Sequence, residues 1–310
     1  MDSRLNRKGK KMKKRTVLKR IILISMILLL SVIGYSGYQY FMGIKEADAS
    51  IKKKHEFNAP EQKVKGTFNV LLLGSDARNG EEISRTDTIM IAQYNTETNK
   101  PKLVSIMRDT YVTIPGYGNN KINAAFFHGG PELLRQTIKQ NFDIDIHYYA
   151  MVNFEGFEKI IDVISPDGIE INIEKQMSKQ IGVTLEPGLH KLNGKELLGY
   201  ARFRHDRRGD FGRVERQQEV ISSIKNEFTS LYGISKLPKV IGTLQQYIDT
   251  NLETLTIFSI ATEVMLNKSE IETMVIPIDG SFTEPTYQEV GQVLEIDFEK
   301  NKNAIHDFLR

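Results

Sequence analysis

Residues Ile21–Ile44, IILISMILLLSVIGYSGYQYFMGI, run for 24 positions without a charge. A membrane-spanning helix needs about 20 mostly apolar residues, so the run predicts one transmembrane helix over 21–44. Tyr35, Tyr38, Tyr40 and Phe41 gather near its end, as an interfacial aromatic belt would. Residues 1–20 carry ten Lys or Arg and one acid, which predicts a cytoplasmic tail under the positive-inside rule. A cleaved signal peptide is the competing reading, because the small-residue stretch ADAS follows at Ala47–Ser50. The apolar run is longer than a usual signal core, and that length favours an uncleaved anchor. The expected arrangement is a single-pass type II protein of the cell membrane, with its C-terminal part extracellular.

The charge balance changes once the tail is set aside. Removing its ten basic residues and one acid from the chain's 42 and 39 leaves 32 against 38, a net of −6. An acidic outer part gives no general attraction to polyanions, so nucleic acid is not an expected partner. There is no cysteine, hence no disulfide and no thiol chemistry. Stability must come from a core, which about 245 residues can bury. Lys45–Lys65 is charged, contains Pro60 and lacks periodicity, and reads as a stalk over 45–65. Residues 66–310 then read as one domain.

That domain opens with three strand signals: Phe68–Leu73, Thr88–Tyr94 and Lys102–Met107. A helix is expected over Pro131–Asn141, where proline suits the first turn. Then come a strand at His147–Val152, a helix at Phe154–Ile164, a strand at Gly168–Ile173 and a short helix at Gly194–Ala201. Helical patterns cover Phe211–Leu231, Lys236–Asp249 and Thr254–Leu266. Met274–Ile278 is a late strand before a closing helix. This order predicts an α/β fold, an α–β–α sandwich with a central mixed sheet.

Polar residues collect where the first strands end. Gly74-Ser75-Asp76 closes the first, Arg85-Thr86-Asp87 precedes the second and Arg108-Asp109 follows the third. Antiparallel pairing of neighbours would bring all three groups to one rim. Asp76 and Asp87 would suit magnesium, which takes one or two carboxylates plus substrate phosphate oxygens. Arg85 and Arg108 would meet phosphate through forked donors. Ordinary ion pairs and turn caps are the alternative that spacing alone leaves open.

Ala201–Gln218, ARFRHDRRGDFGRVERQQ, holds six arginines and no lysine. Arg202 and Arg204 are two apart and share a side of an extended segment. Asp210 is placed to cap the next helix. Arg213 and Gln217 share one helix face, while Val214, Ile221 and Ile224 define another. An arginine at the positive end of a helix dipole calls for a compensating anion, a phosphate or nearby Asp206 and Asp210. Arg207, Arg208 and Arg216 read as solvated, and His205 as a local hydrogen-bond partner.

The chain resembles the LytR-CpsA-Psr family of Gram-positive surface proteins. The matching stretches are FNVLLLGSD, RTDTIMIA, VSIMRDTYVTIPG, KINAAFFHGG and LGYARFRHDRRGDFGRVERQQ, in family order. Met107 departs from the pattern, since many relatives carry proline there, and a local backbone difference is expected. The resemblance implies a phosphotransferase that moves an anionic glycopolymer from an undecaprenyl pyrophosphate carrier to peptidoglycan N-acetylmuramic acid. It implies that Asp76 and Asp87 hold Mg2+, and that Arg85, Arg108, Arg202, Arg204, Arg213 and Gln217 hold the pyrophosphate. Arg85 and Arg108 would act catalytically. Asp109 and Asp210 are candidate proton acceptors, with Asp87 a third. An apolar channel would take the lipid tail; FFHGG and the helices Phe154–Ile164 and Val214–Phe228 are either its lining or plain core.

Two other classes compete. A membrane-bound transcriptional regulator would have to read DNA with the short basic tail, which carries no helix-turn-helix. A non-catalytic scaffold for polyprenyl phosphate would use the arginines alone, and would leave Asp76 and Asp87 without a purpose.

Overall fold

The computed structural model describes residues 2–46, 55–60, 66–75, 86–95, 100–228, 231–266 and 269–310. The chain starts with helix α1 (Asp2–Glu46), then β1 (Thr67–Ser75), β2 (Thr86–Asn95) and β3 (Lys102–Ile106). A hairpin of β4 (Tyr111–Ile114) and β5 (Gly118–Lys121) leads into α2 (Ile122–Phe142), β6 (Tyr148–Asn153) and α3 (Phe154–Ile164). Next come β7 (Ile169–Ile173), β8 (Gly188–Leu192), α4 (Gly194–Arg202), α5 (Gly209–Phe228) and α6 (Leu231–Tyr247). β9 (Ile248–Thr250), α7 (Thr254–Leu266) and β10 (Glu272–Ile276) follow. Two nested pairs, β11 (Phe282–Thr283) with β14 (Glu295–Ile296) and β12 (Thr286–Tyr287) with β13 (Gly291–Gln292), precede α8 (Phe298–Leu309).

Six strands form one mixed sheet in the order β10-β3-β2-β1-β6-β9. β1–β2, β2–β3 and β6–β9 are antiparallel, and β1–β6 and β3–β10 are parallel. Strand alternation splits this sheet into two faces. Leu71, Leu73, Ile89, Ile91 and Val104 pack with Leu134, Ile138 and Phe142 of α2 and Ile305 of α8 in one core. Leu72, Gly74, Thr88, Met90, Ala150 and Val152 face the other way, towards a cavity bounded by α3, α4 and α5. A second core joins α3, α4, α5 and the β7–β8 hairpin through Ile161, Leu197, Tyr200 and Val220. Helices thus cover both faces of a mixed sheet, the α–β–α sandwich the element order predicts.

Two departures from the sequence reading have clear causes. α2 begins nine residues before Pro131, but Gly129 and Gly130 are non-helical inside it, and Gly130 has φ 61° and ψ −154°. That conformation belongs to glycine alone, so Pro131 restarts a helix as predicted, behind an extra first segment. The strand expected over Gly168–Ile173 pairs with β8, where no strand was expected.

α1 is the one helix among the described residues long and apolar enough to cross a membrane, over Val17–Lys45. It includes both the predicted span and the basic tail, and Leu18–Ile33 pack against no protein, each large apolar side chain being more than half exposed. Of the predicted stalk, residues 55–60 lie along the domain: His55 Nδ1 is 2.6 Å from Asp249 Oδ2, and Phe57 lies tilted against Tyr149 with ring centroids 5.0 Å apart.

Candidate active site

The register of β1 and β2 pairs Ser75 with Thr86, so both strands end at the same rim. β3 finishes there as well. Its exit is a tight turn in which Thr110 donates through both N–H and Oγ1 to Met107 O, at 3.0 and 2.6 Å. Arg108 and Asp109 sit at the two central positions of that turn. Met107 N–H donates to Ile276 O at 2.9 Å, a bond that proline could not make. The departure at Met107 therefore adds one rung to the β3–β10 ladder.

Asp87 lines the cavity, and its Oδ1 accepts a short hydrogen bond from Arg108 Nη1. The Arg108 guanidinium also lies 3.5 Å from Asp109 and 3.7 Å from Asp210. Burial alone would lower its proton affinity, but Asp210, Asp87 and Asp109 outweigh burial and raise it.

The start of α5 supplies the opposite wall. Arg213 is 4% exposed; its Nη2 donates to Asp210 Oδ2 at 2.8 Å and to the main-chain oxygen of Asp87 at 3.3 Å. Burial lowers the pKa of Arg213, opposed by Asp210 and Asp87 and reinforced by Arg108 and Arg204. Guanidinium groups stay charged at neutral pH regardless, so Arg108 and Arg213 here are cations interleaved with Asp87 and Asp210. Gln217, one turn on, lines the cavity and donates to Ala201 O at 3.4 Å. Ile221 follows on the same face and also lines it. The sequence reading had put Ile221 with Val214 and Ile224; the cavity accepts both polar and apolar residues along one helix stripe, which hydrophobic spacing does not reveal.

Arg202 and Arg204 flank buried Phe203 and both line the cavity. Arg202 stacks over the Phe154 ring at 4.3 Å. Asp76 and Arg85 lie outside the described residues. Asp109 turns from the cavity to Lys121 Nζ, 2.8 Å away. Asp210 sits behind Arg213 and does not cap α5. That cap is Asp206, whose Oδ1 accepts from the N–H groups of Arg208 and Gly209 at 3.0 Å each.

Arg216 is not solvated either. It is 8% exposed, and it donates to Phe203 O at 2.5 Å and to Asp206 Oδ2 at 3.0 Å. It thereby braces the segment that carries Arg202 and Arg204. Burial pushes the Asp206 carboxyl up, but Lys175 and Arg216 outweigh it and hold it below its ordinary 3.8. A carboxyl depressed in the folded state stabilises the fold above its unfolded pKa and stops doing so as pH falls through the folded one. The brace should therefore weaken on acidification below 3.8, and a urea titration series should show Arg216→Ala losing less stability over that interval than the parent.

The cavity, about 390 Å³ in all, also has an apolar wall: Phe154 and Phe157 of α3, Leu198 and Ala201 of α4, Val220 of α5 and Ile248 of β9. Phe126 is core and Phe127 is exposed, so FFHGG does not line it. Lys179 and Gln180 do line it, from the connection between β7 and β8. Sequence reasoning missed both, and no motif or periodicity marks them. Asp210 Oδ1 and Arg213 Nε are buried without hydrogen-bond partners among the described residues. A bound polar group would give such atoms a partner.

Relatives fit this arrangement. Residues 31–304 match the model of the LytR_cpsA_psr family. The chain is 46% identical over 281 residues to "Regulatory protein MsrR" of Staphylococcus aureus, covering 90% of this chain and 85% of that one. It is 35% identical over 255 residues to the polyisoprenyl-teichoic acid–peptidoglycan teichoic acid transferase TagU of Bacillus subtilis, covering 79% and 81%. Among solved structures, TagT bound to LIIa-WTA aligns with a TM-score of 0.63 at 27% identity, over 84% of this chain and 96% of that one. Sequence and fold agree, and the chain belongs to the LytR_cpsA_psr family.

Proposed function

We propose that this protein is an extracellular, membrane-anchored phosphotransferase, with its N-terminus in the cytoplasm. It moves an anionic glycopolymer, wall teichoic acid or a similar polymer, from an undecaprenyl pyrophosphate carrier to N-acetylmuramic acid of peptidoglycan. One observation carries the reading: Arg108, Arg202, Arg204, Arg213 and Asp87 line one cavity together with an apolar wall of Phe154, Phe157, Leu198, Val220 and Ile248. Guanidinium forks suit phosphate oxygens, and apolar walls suit a polyprenyl chain. The names of the transferase TagU and of TagT bound to LIIa-WTA support the same substrate class.

In the transfer, the acceptor hydroxyl oxygen forms a bond to the phosphorus that carries the glycan. The bond from that phosphorus to the bridging oxygen breaks. The bridging oxygen keeps the electron pair and leaves as undecaprenyl phosphate, and the hydroxyl proton passes to a carboxylate. Such a reaction depends on positioning and charge neutralisation more than on covalent help. Arg108 and Arg213, with Arg85, balance charge on the leaving phosphate. Asp87 is the one of the three candidate proton acceptors that lines the cavity, and it can take the proton only where metal does not occupy its second oxygen. Asp109 and Asp210 act as positioning residues for Arg108 and Arg213.

Magnesium suits this donor set. One Asp87 oxygen is taken by Arg108, and the other makes no hydrogen bond among the described residues. An ion held by two carboxylates would draw its other ligands from water and substrate oxygens, as magnesium does. Asp87 with Asp76 would hold it, and it would supply further neutralisation of phosphate charge.

Solubilised full-length protein should release polyprenyl phosphate and give wall-bound glycan when mixed with a polyprenyl-pyrophosphate glycan and peptidoglycan. Chelation should stop both and added Mg2+ restore them. The name of the S. aureus relative favours a regulatory role instead. Tight binding of the lipid donor without turnover, at any metal concentration, would decide for that alternative or for a scaffold.

A further inference from the structure

We propose that α7 lies in the outer face of the bilayer crossed by α1, as a second and interfacial membrane contact. The proposal rests on the reading of α1 as the anchor. At 1.5 Å per residue, about 20 residues span the hydrocarbon core, so a span entered at Ile21 leaves it near Tyr40. There α1 meets α6 at a close crossing. A methyl group on Gly43 would strike Lys239 O, and one on Gly242 would strike Tyr40 O. Tyr40 Oη donates to Gln245 Oε1 at 2.6 Å, and Thr243 Oγ1 donates to Gly43 O at 3.4 Å.

These pairs set the direction of α6. Tyr40, nearer the bilayer, meets Gly242 and Gln245, whereas Gly43, further out, meets Lys239 and Thr243. The C-terminal end of α6 therefore points at the membrane. Gln245 also donates to Thr254 Oγ1, which brings the first residue of α7 to the level of the Tyr40 belt.

α7 reads TLTIFSIATEVML, with Glu263 its single charge. Leu255 is 80% exposed and begins an exposed stripe with Ser259 and Glu263, while Ile257, Phe258, Ile260 and Val264 are partly covered. A helix that leaves an apolar side chain this open is unfavourable in water at that position. Laid at the headgroup boundary, its apolar surface is covered and its backbone is internally bonded. Ile248, between α6 and α7, lines the cavity, so the cavity wall nearest this contact is apolar, where a membrane-embedded hydrocarbon tail would arrive.

The chain has no tryptophan, so single-tryptophan variants of the full-length protein report depth directly. Leu255→Trp, Ile27→Trp and Asp307→Trp are reconstituted in phosphatidylethanolamine/phosphatidylglycerol vesicles brominated either near the headgroup or near the chain end. Asp307 lies on α8, which packs beside β10 at the sheet edge opposite β9, and serves as the aqueous control. Shallow bromines should quench Leu255→Trp clearly, as expected for burial at the headgroup boundary. Deep bromines should quench it less, and Asp307→Trp should respond to neither. Ile27→Trp should be quenched most by deep bromines. If Ile27→Trp is quenched while Leu255→Trp behaves like Asp307→Trp, the α7 contact is wrong and the anchor stands. If neither is quenched, the anchor fails and the proposal with it. Blue-shifted emission of Leu255→Trp without quenching would mean that protein, a second copy for example, covers α7 in place of lipid.

Discussion

Arg108→Ala is expected to lower turnover by roughly 10²–10³-fold, the usual effect of deleting one donor that meets developing charge. Arg108 stands between Asp87, Asp109 and Asp210, and it lines the cavity. Its removal takes away a fork for phosphate and also leaves Asp87 without its guanidinium partner, while Asp109 keeps Lys121 and Asp210 keeps Arg213. Those two effects separate in the kinetics. Loss of transition-state neutralisation lowers kcat and kcat/KM together, whereas loss of substrate affinity alone raises KM. Arg108→Lys keeps a charge but not the planar fork, and should recover part of the activity. Unchanged kcat in a folded Arg108→Ala protein would remove this residue from the mechanism.

Arg216→Ala should be the most destabilising single change in the arginine-rich segment, costing about 3–5 kcal/mol, as is typical when one partner of a buried pair is removed. Both partners are nearly inaccessible: the Arg216 side chain is 9% exposed and that of Asp206 is 3% exposed. Without Arg216, Asp206 keeps Lys175 at 3.0 Å but loses its buried guanidinium, and Phe203 O loses a donor. Equilibrium urea unfolding measures the loss. A destabilisation below ~1 kcal/mol, the range of exposed pairs, would contradict the bracing role. The same variant should bind lipid donor more weakly, because Arg202 and Arg204 depend on this segment for their position.

The elements with strong periodicity were legible without coordinates. FNVLLL is buried between two layers and forms β1, and Phe154–Ile164 and Thr254–Leu266 are helices over the residues expected. Weak elements were not. β5 is Gly-Asn-Asn-Lys, without one apolar residue, and exists because β4 lies opposite it. β9 was read as the end of a helix. It is strand because β6 presents a free edge, and because Asn251 accepts from Tyr149 N–H at 2.9 Å and donates to His147 O at 3.4 Å.

At the candidate site, the strand ends and the arginine-rich run supply Asp87, Arg108, Arg202, Arg204, Arg213 and Gln217 to one cavity. Sequence did not show that Asp109 turns to Lys121, that Asp206 rather than Asp210 caps α5, or that Arg216 is internal. Each of those outcomes depends on a partner two or more residues along or in another element.

From its residue order alone this chain specifies an apolar span, a mixed set of strands and helices and a surplus of arginine near one helix start. Local hydrophobic spacing and local charge suffice for such statements, because they concern neighbours in the chain. Which guanidinium meets the cavity, which carboxylate faces it and where α7 lies relative to α1 were decided only in three dimensions. Burial and pairing there join residues as distant as Asp87 and Arg213, or Tyr40 and Gln245, and their energies depend on approach distances that spacing along the chain does not encode.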